Sequence, residues 1–392
     1  MHIVFTFPWA LDMPGGGPVD YLQTAYHLAA AGVELTLLTV ASAAPDRFPR
    51  QKITNLSCKN KLQEDLINLG VKILQVPQNP FYYFGDGLSL RKEFIKVLKK
   101  KSVDVVLGWQ HEIAFLPQLL HSKGVILAVL ASNGYYAEWY HDCNRVGRFF
   151  RDRFVITPMK KADVIFARSN FIRNLIVDLF EIDAQRIVIN YCGVDPLFLN
   201  VKRRKSERIK HFIYFGGFTP EKGIFDALMA LGKVAKHGYQ NWNFKIIGWG
   251  DKNSVKKVAR ENGIEDRIEV IDFLPQVKLV RELEWAHLAI LPSYGESFGL
   301  AFAEAQAAGL PVIGYEVGGV PEIIKNNITG WLLQKGCVDG LVKKILEAIN
   351  NPEKAHKMGI NGRKNVKKRF SWPSTVEAMI KKLKETKTKA AL

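Results

Sequence analysis

Cysteine is scarce in this chain. Four residues, Cys58, Cys143, Cys192 and Cys337, are scattered through 392 positions with no Cys-x-x-Cys pair. That spacing argues against a disulfide framework and a structural zinc site, and it fits a reducing compartment. Long apolar runs are also missing. The longest, residues 125–131, has seven residues, where a membrane-spanning helix needs about twenty. No Asp-x-Asp occurs, and His111-Glu112 lacks the second histidine of a zincin motif. No metal or other cofactor is therefore expected. The N-terminal segment is apolar but has no positive leader and runs into Pro14-Gly15-Gly16-Gly17. It is expected to be a first strand rather than an export signal. Acidic residues are in deficit, 38 against 55 basic, for a net charge of +17. Such a charge speaks to partners rather than to fold, and nucleic acid, an anionic membrane or phosphorylated small molecules all fit it.

What is present is a globular composition, 47% apolar, sufficient for a core in each of two domains. Short Val/Ile/Leu-rich runs (residues 2–7, 33–40, 71–76, 103–107 and 125–130) alternate with helical patterns such as residues 19–31 and 90–101. The alternation restarts after residue 200, with strands expected at 211–215, 244–247, 268–270, 288–291 and 312–314. Continuous apolar strands alternating with helices imply parallel sheets covered on both faces. The expected fold is α/β, with two doubly wound Rossmann-like domains facing an interdomain cleft. Residues 1–200 are expected to form the first domain and residues 201–372 the second. Residues 373–392 form a C-terminal helix packing back on the first domain, with a frayed tail. The segment VKRRKSERIK at 201–210 reads as the linker.

The most informative stretch is PSYGESFGLAFAEAQAAGLPVIG, residues 292–314. A strand ends at Leu291, a loop holds Glu296, and a helix starts near Gly299. Free N–H groups at a helix start bind anions. A carboxylate there would repel a phosphate, so Glu296 is assigned to neutral hydroxyls. The N–H groups of Phe298, Gly299 and Leu300 are assigned to the phosphate. Glu304 lies among Ala303, Ala305, Ala307 and Ala308, a small-residue surface suited to close packing, and would hold a second set of hydroxyls. Taken singly, Glu296 also fits a helix-start acid favoured by the dipole, and Glu304 fits a solvated face. Hydroxyls together with phosphate describe a nucleotide sugar.

The stretch resembles the Glu-x7-Glu signature of retaining glycosyltransferase family 4, whose fold is GT-B. The resemblance extends over nearly the whole chain. It takes in PGGGPVDYLQTAYHLAAAGVELTLLT, ADVIFARSNFIRNLI, RIVINYCGVD, YFGGFTPEKG, FKIIGWGD and IDFLPQVKLVRELEWAHLAILPS. It implies that Glu296 binds donor-sugar hydroxyls, Glu304 the ribose and Lys222 the diphosphate. It also implies that residues 1–200 are the acceptor-side domain and residues 201–372 the nucleotide-sugar-binding domain, and that the backbone of the Gly15-Gly16-Gly17 loop, at Gly16 and Gly17, approaches the donor phosphates or the acceptor. A lysine there would offset charge developing on the leaving group. Two positions depart from the family pattern. Gly217 stands where an arginine is usual, and Asn133 stands nearest to a usual histidine. Asn133 can hydrogen-bond but cannot shuttle a proton, and His111 ends the preceding strand, where a single histidine is more often structural than catalytic. These departures motivate a catalytically impaired homologue, acting as a binding or regulatory subunit, as the alternative. A sugar-nucleotide epimerase of the same fold is a second alternative, and a two-carboxylate glycosidase would leave Lys222 without a purpose.

The basic residues cluster. Residues 91–101 and 145–154 (RVGRFFRDRF) interleave cations with aromatic and aliphatic side chains. That pattern fits docking on an anionic membrane, or equally a solvated face over core phenylalanines. No nucleic-acid-binding module is recognisable. The expectation is a metal-independent retaining hexosyltransferase of the cytoplasm, peripheral at the inner membrane face. It would pass sugar from a nucleotide donor to a hydroxyl of a saccharide or lipid-linked acceptor.

Overall fold

The computed structural model describes residues 1–11, 15–41, 61–77, 82–132, 144–203 and 205–390. They form two compact units, Met1–Tyr191 with Trp372–Leu392, and Cys192–Ser371.

In the first unit, seven strands lie in the order β3-β2-β1-β4-β5-β6-β7. They are β1 His2–Phe7, β2 Glu34–Ala41, β3 Lys72–Pro77, β4 Val105–Gly108, β5 Ile126–Ala131, β6 Val164–Ala167 and β7 Ile187–Ile189. Every pairing is parallel. Strand alternation explains why both faces are apolar. Ile3, Phe5 and Phe7 of β1 join one core, and Val4 joins the other. The Trp372–Ala390 helix inserts Val376, Met379 and Leu383 into the first of these cores. Each such buried side chain is worth about 1.5–3 kcal/mol. This helix runs through Ala390. Leu383 is buried, Lys387 pairs with Asp104, and the Thr386 hydroxyl donates to the Lys382 carbonyl at 2.9 Å.

The second unit has six parallel strands in the order β10-β9-β8-β11-β12-β13. They are β8 His211–Phe218, β9 Asn243–Gly250, β10 Ile268–Asp272, β11 Leu288–Leu291, β12 Val312–Tyr315 and β13 Trp331–Leu333. Chain order reverses between β8 and β11. The connections leaving these two neighbours therefore diverge and open a crevice at their carboxyl ends, the usual ligand site of doubly wound sheets.

The boundary between units falls at Tyr191/Cys192, ahead of residue 200, and the basic segment 201–210 is not a free linker. Val201 is buried, and the Arg203 guanidinium donates to the carbonyls of Leu283 (2.7 Å), Ala308 (3.0 Å) and Ala286. Arg363 donates to Ala307 (2.9 Å), Ala308 (2.7 Å) and Val201 (2.8 Å). The two cations cap the C-termini of the Gln276–Trp285 and Leu300–Ala307 helices, where unpaired carbonyls and the dipole favour positive charge. Burial and the neighbouring Arg363 push the Arg203 guanidinium down to about 10. Among the described residues, no helix is long and apolar enough to cross a membrane.

Candidate functional site

Two loops flank the crevice between β8 and β11. The first leaves β8, passes through the short helix Pro220–Lys222 and enters the Ile224–Lys236 helix at Gly223. Gly223 has φ +70°, and a Cβ there would lie 1.8 Å from the Pro292 carbonyl oxygen. Only glycine lets the Lys222 turn rest directly on the backbone that follows β11. The second loop leaves β11 and carries Glu296 to the start of the Leu300–Ala307 helix. A third loop, after β12, supports it. Gly318 has φ +50°, with a notional Cβ 1.8 Å from the Glu296 oxygen, and the Gly319 N–H donates to that same carbonyl at 3.0 Å.

This packing brings together two side chains that are far apart in the sequence. Lys222 Nζ donates to Glu296 Oε1 at 2.7 Å, with the side chains 29% and 17% exposed. A cation and an anion thus lie side by side at the mouth of the crevice. Phe298 is buried edge-on against Phe370, with ring centroids 5.2 Å apart. Gly299 takes the N-cap position. Phe302 and Ala303 make the first intrahelical bonds, both to its carbonyl, so the N–H groups of Gly299 and Leu300 belong to the unbonded first turn.

Glu304 lies on the second turn of that helix and is buried. Gln276 Nε2 donates to its Oε1 at 3.3 Å. Burial, with Asp195 adding to it, pushes the carboxyl up to about 8. Near neutral pH it is chiefly a neutral acid, able both to donate and to accept.

Gly217 is the penultimate residue of β8, opposite Trp249 on β9. A Cβ at Gly217 would meet the Trp249 ring at 3.1–3.2 Å, so the indole covers the ground a longer side chain would cross. The backbone here is held by Tyr214, whose hydroxyl donates to the Gly217 carbonyl at 2.6 Å.

In the first unit, Gly16 and Gly17 open the Gly16–Ala30 helix beyond β1, with Gly17 against the Trp9 ring. Asn133 lies outside the described residues. His111 is buried, with Nε2 3.9 Å from Asp86 Oδ2, so its surroundings are core rather than an open loop. Glu112 is a structural acid. It accepts the N–H groups of Trp109 (2.6 Å) and Gln110 (2.8 Å) and the Thr6 hydroxyl (3.0 Å). Gln276, Trp249, Asp226, Tyr294 and Tyr315 surround the site without having been singled out in the sequence. For Gln276 alone a local signal existed, a polar residue opening a helix just after Pro275, three residues beyond a strand.

Residues 14–197 match the family model described as Glycosyltransferase Family 4, and residues 199–365 match the model described as Glycosyl transferases group 1. The chain belongs to glycosyltransferase family 4. The amylovoran biosynthesis glycosyltransferase AmsK of Erwinia amylovora is 31% identical over 42% of this family-4 chain and 42% of its own length. An uncharacterized glycosyltransferase of Methanocaldococcus jannaschii is 30% identical over 57% of the chain and 60% of its own length. The chain thus spans about half the length of these two relatives. Among solved structures, Anabaena HepE in complex with UDP and glucose superposes with a TM-score of 0.75. It is 15% identical and covers 98% of this chain and 100% of its own. The family-4 chain has the two-domain α/β GT-B fold.

Proposed function

We propose that this chain is a retaining hexosyltransferase that moves sugar from a nucleotide donor to an acceptor hydroxyl. The observation that carries the proposal is the Lys222–Glu296 pair in the crevice at the start of the Leu300–Ala307 helix. The donor replaces the pair's internal contact with two of its own. Its diphosphate takes the Lys222 ammonium and the N–H groups of Phe298, Gly299 and Leu300. Its sugar hydroxyls donate to the freed Glu296 carboxylate. Glu304, largely neutral, meets the ribose hydroxyls beside Gln276.

In the reaction the bond from the anomeric carbon to the leaving phosphate oxygen breaks. A bond to the acceptor oxygen forms on the same face, and the acceptor's proton passes to the leaving phosphate. Lys222 offsets the charge building on that phosphate, which is the term electrostatic catalysis requires. Retention of configuration is what the family resemblance implies. Positive charge on Lys222 and helix N–H groups assigns the diphosphate clamp to the chain's own residues, so the reaction is proposed to be metal-independent.

The acceptor is proposed to be a saccharide or lipid-linked glycan, met at the inner face of the cytoplasmic membrane. Supporting this, Phe84, Val146, Phe149 and Phe150 are exposed beside Arg145, Arg148 and Arg153. Phe84 and Phe150 both pack on the buried Phe154 ring, at 6.1 and 5.8 Å, which gathers them into one patch. Trp249 over Gly217 favours a second reading, a homologue of reduced activity.

Release of nucleoside diphosphate from UDP-, ADP- and GDP-linked hexoses decides between the two. Activity is expected in the wild type with EDTA present. A loss of roughly 100-fold or more is expected in Lys222→Ala and in Glu296→Ala, the magnitude typical of removing one preorganised charge-stabilising group. Full turnover in either variant sinks the assignment. Metal-dependent turnover sinks the clamp, and an inactive wild type that still binds diphosphate selects the second reading.

A further inference from the structure

Asp226 is a buried carboxylate in the first turn of the Ile224–Lys236 helix, four residues after Lys222. Its Oδ2 accepts two phenol hydrogen bonds, from Tyr294 at 2.7 Å and from Tyr315 at 2.6 Å. The two rings meet edge-on with centroids 5.5 Å apart. Each phenol comes from a different segment beside the crevice. Tyr294 stands two residues before Glu296, and Tyr315 is the last residue of β12, ahead of the Gly318-Gly319 support. Further bonds tie the same backbones. The Tyr294 N–H donates to the Glu221 carbonyl at 2.8 Å, and the Ser293 hydroxyl donates to the Gly295 carbonyl at 3.1 Å. One carboxylate oxygen therefore joins the segment carrying Lys222, the segment carrying Glu296 and the segment on which Glu296 rests.

A bonded pair of charges needs no such scaffold to stay together. Lys222 and Glu296 attract each other, and if free to move they would keep their contact rather than open to a ligand. A donor that places its diphosphate on one and its sugar on the other needs the two loops held at a fixed spacing while the pair separates. We propose that Asp226, Tyr294 and Tyr315 are positioning residues that fix the spacing of Lys222 and Glu296, so that the donor's diphosphate and sugar are gripped in one geometry. This deepens the nucleotide-sugar reading and rests on it. The three groups act as a constant brace, not a switch. Burial and the Asp226 charge push the Tyr294 phenol up to about 12 and the Tyr315 phenol higher still, so both remain donors at any working pH.

The test compares wild type with Asp226→Ala, Asp226→Asn and the Tyr294→Phe/Tyr315→Phe double variant. For each, the Kd of UDP, ADP and GDP is measured, together with kcat and KM for diphosphate release from the matching nucleotide hexose. Lys222 and the helix start suffice for the diphosphate alone, so its Kd is expected within threefold of wild type in every variant. The kcat is expected to fall 10- to 100-fold in Asp226→Ala and in the double phenylalanine variant, in line with the cost of about 1 Å of misplacement. Asp226→Asn keeps an acceptor oxygen and is expected to recover kcat to within about threefold. Unchanged kcat in Asp226→Ala, alongside retained diphosphate binding, overturns the brace alone. Diphosphate binding and kcat falling together also overturn it, because that is the mark of a merely structural residue. A wild type that binds none of the three diphosphates overturns the functional reading and the brace with it.

Discussion

Replacing Glu304 by glutamine should stabilise the protein, and by an amount that depends on pH. Glu304 is 8% exposed, it accepts a hydrogen bond from the Gln276 amide at 3.3 Å, and burial lifts its carboxyl from 4.5 to about 8. In the unfolded chain the group ionises near its ordinary value. Between pH 4.5 and 8 the native state therefore holds a proton that the unfolded state has lost. Stability falls as pH rises across this window, because the native state binds more protons. The contribution is fully present below about pH 4.5 and is lost as pH passes through about 8. A difference of 8 − 4.5 = 3.5 pH units, at about 1.4 kcal/mol each, corresponds to about 5 kcal/mol in all. Between pH 5.5 and 8 the share is about 3 kcal/mol. For a unit of this size, that is roughly 6–12 °C in Tm. Glutamine has the same shape, can exchange a hydrogen bond with Gln276 and does not titrate. Thermal melts of wild type and Glu304→Gln across pH 5.5–8.5 should start close together and diverge as pH rises, with the variant higher. Two parallel Tm profiles would refute the burial argument. A wild type that gains on the variant at high pH would show Glu304 held as a carboxylate by a cation the structure does not place beside it.

Other consequences follow from the same contacts. Arg203→Met should lower the Tm of the second unit by roughly 6–12 °C, since several buried carbonyls lose their donor at about 1 kcal/mol or more each; an unchanged melt would refute the capping role of Arg203. Gly217→Arg should destabilise by itself, because its Cβ meets the Trp249 ring at 3.1 Å. Paired with Trp249→Ala, it should bind nucleoside diphosphate about tenfold more tightly than Trp249→Ala, the scale of one charge-assisted bond. Calorimetry that finds no gain would remove Gly217 from the diphosphate site. Flotation with anionic vesicles should exceed that with neutral ones by roughly 100-fold in affinity, from three arginines at about 1 kcal/mol each. Phe149→Ser/Phe150→Ser should abolish it, and equal recovery from both vesicle types would retire the membrane patch.

The parts legible in the sequence were those that repeat along one element. Val/Ile/Leu runs alternating with helices gave the parallel sheets, and the loop-to-helix change at Gly299 located the start of the Leu300–Ala307 helix. The basic segment at 201–210 has the composition of a linker but not its structure, for a definite reason. Charge density predicts solvent exposure when the partners are other charges, but the partners of Arg203 are carbonyls at helix ends, and composition does not record them. Asp226 shows the same blindness. An acid in a helix's first turn is explained by the dipole alone, so nothing along the chain asks for Tyr294 or Tyr315, 68 and 89 residues away. Gly217 sharpens the point. Read along the chain, it is an arginine lost. Read across the sheet, it faces Trp249 in parallel register, and the indole lies where a side chain at 217 would begin. The two positions therefore form one structural unit, and substitution at either is constrained by the other. Local periodicity reports what a residue does within its own element. The Lys222–Glu296 crevice is built from contacts between loops at the ends of neighbouring strands, so its logic becomes visible only once β8 is known to lie between β9 and β11.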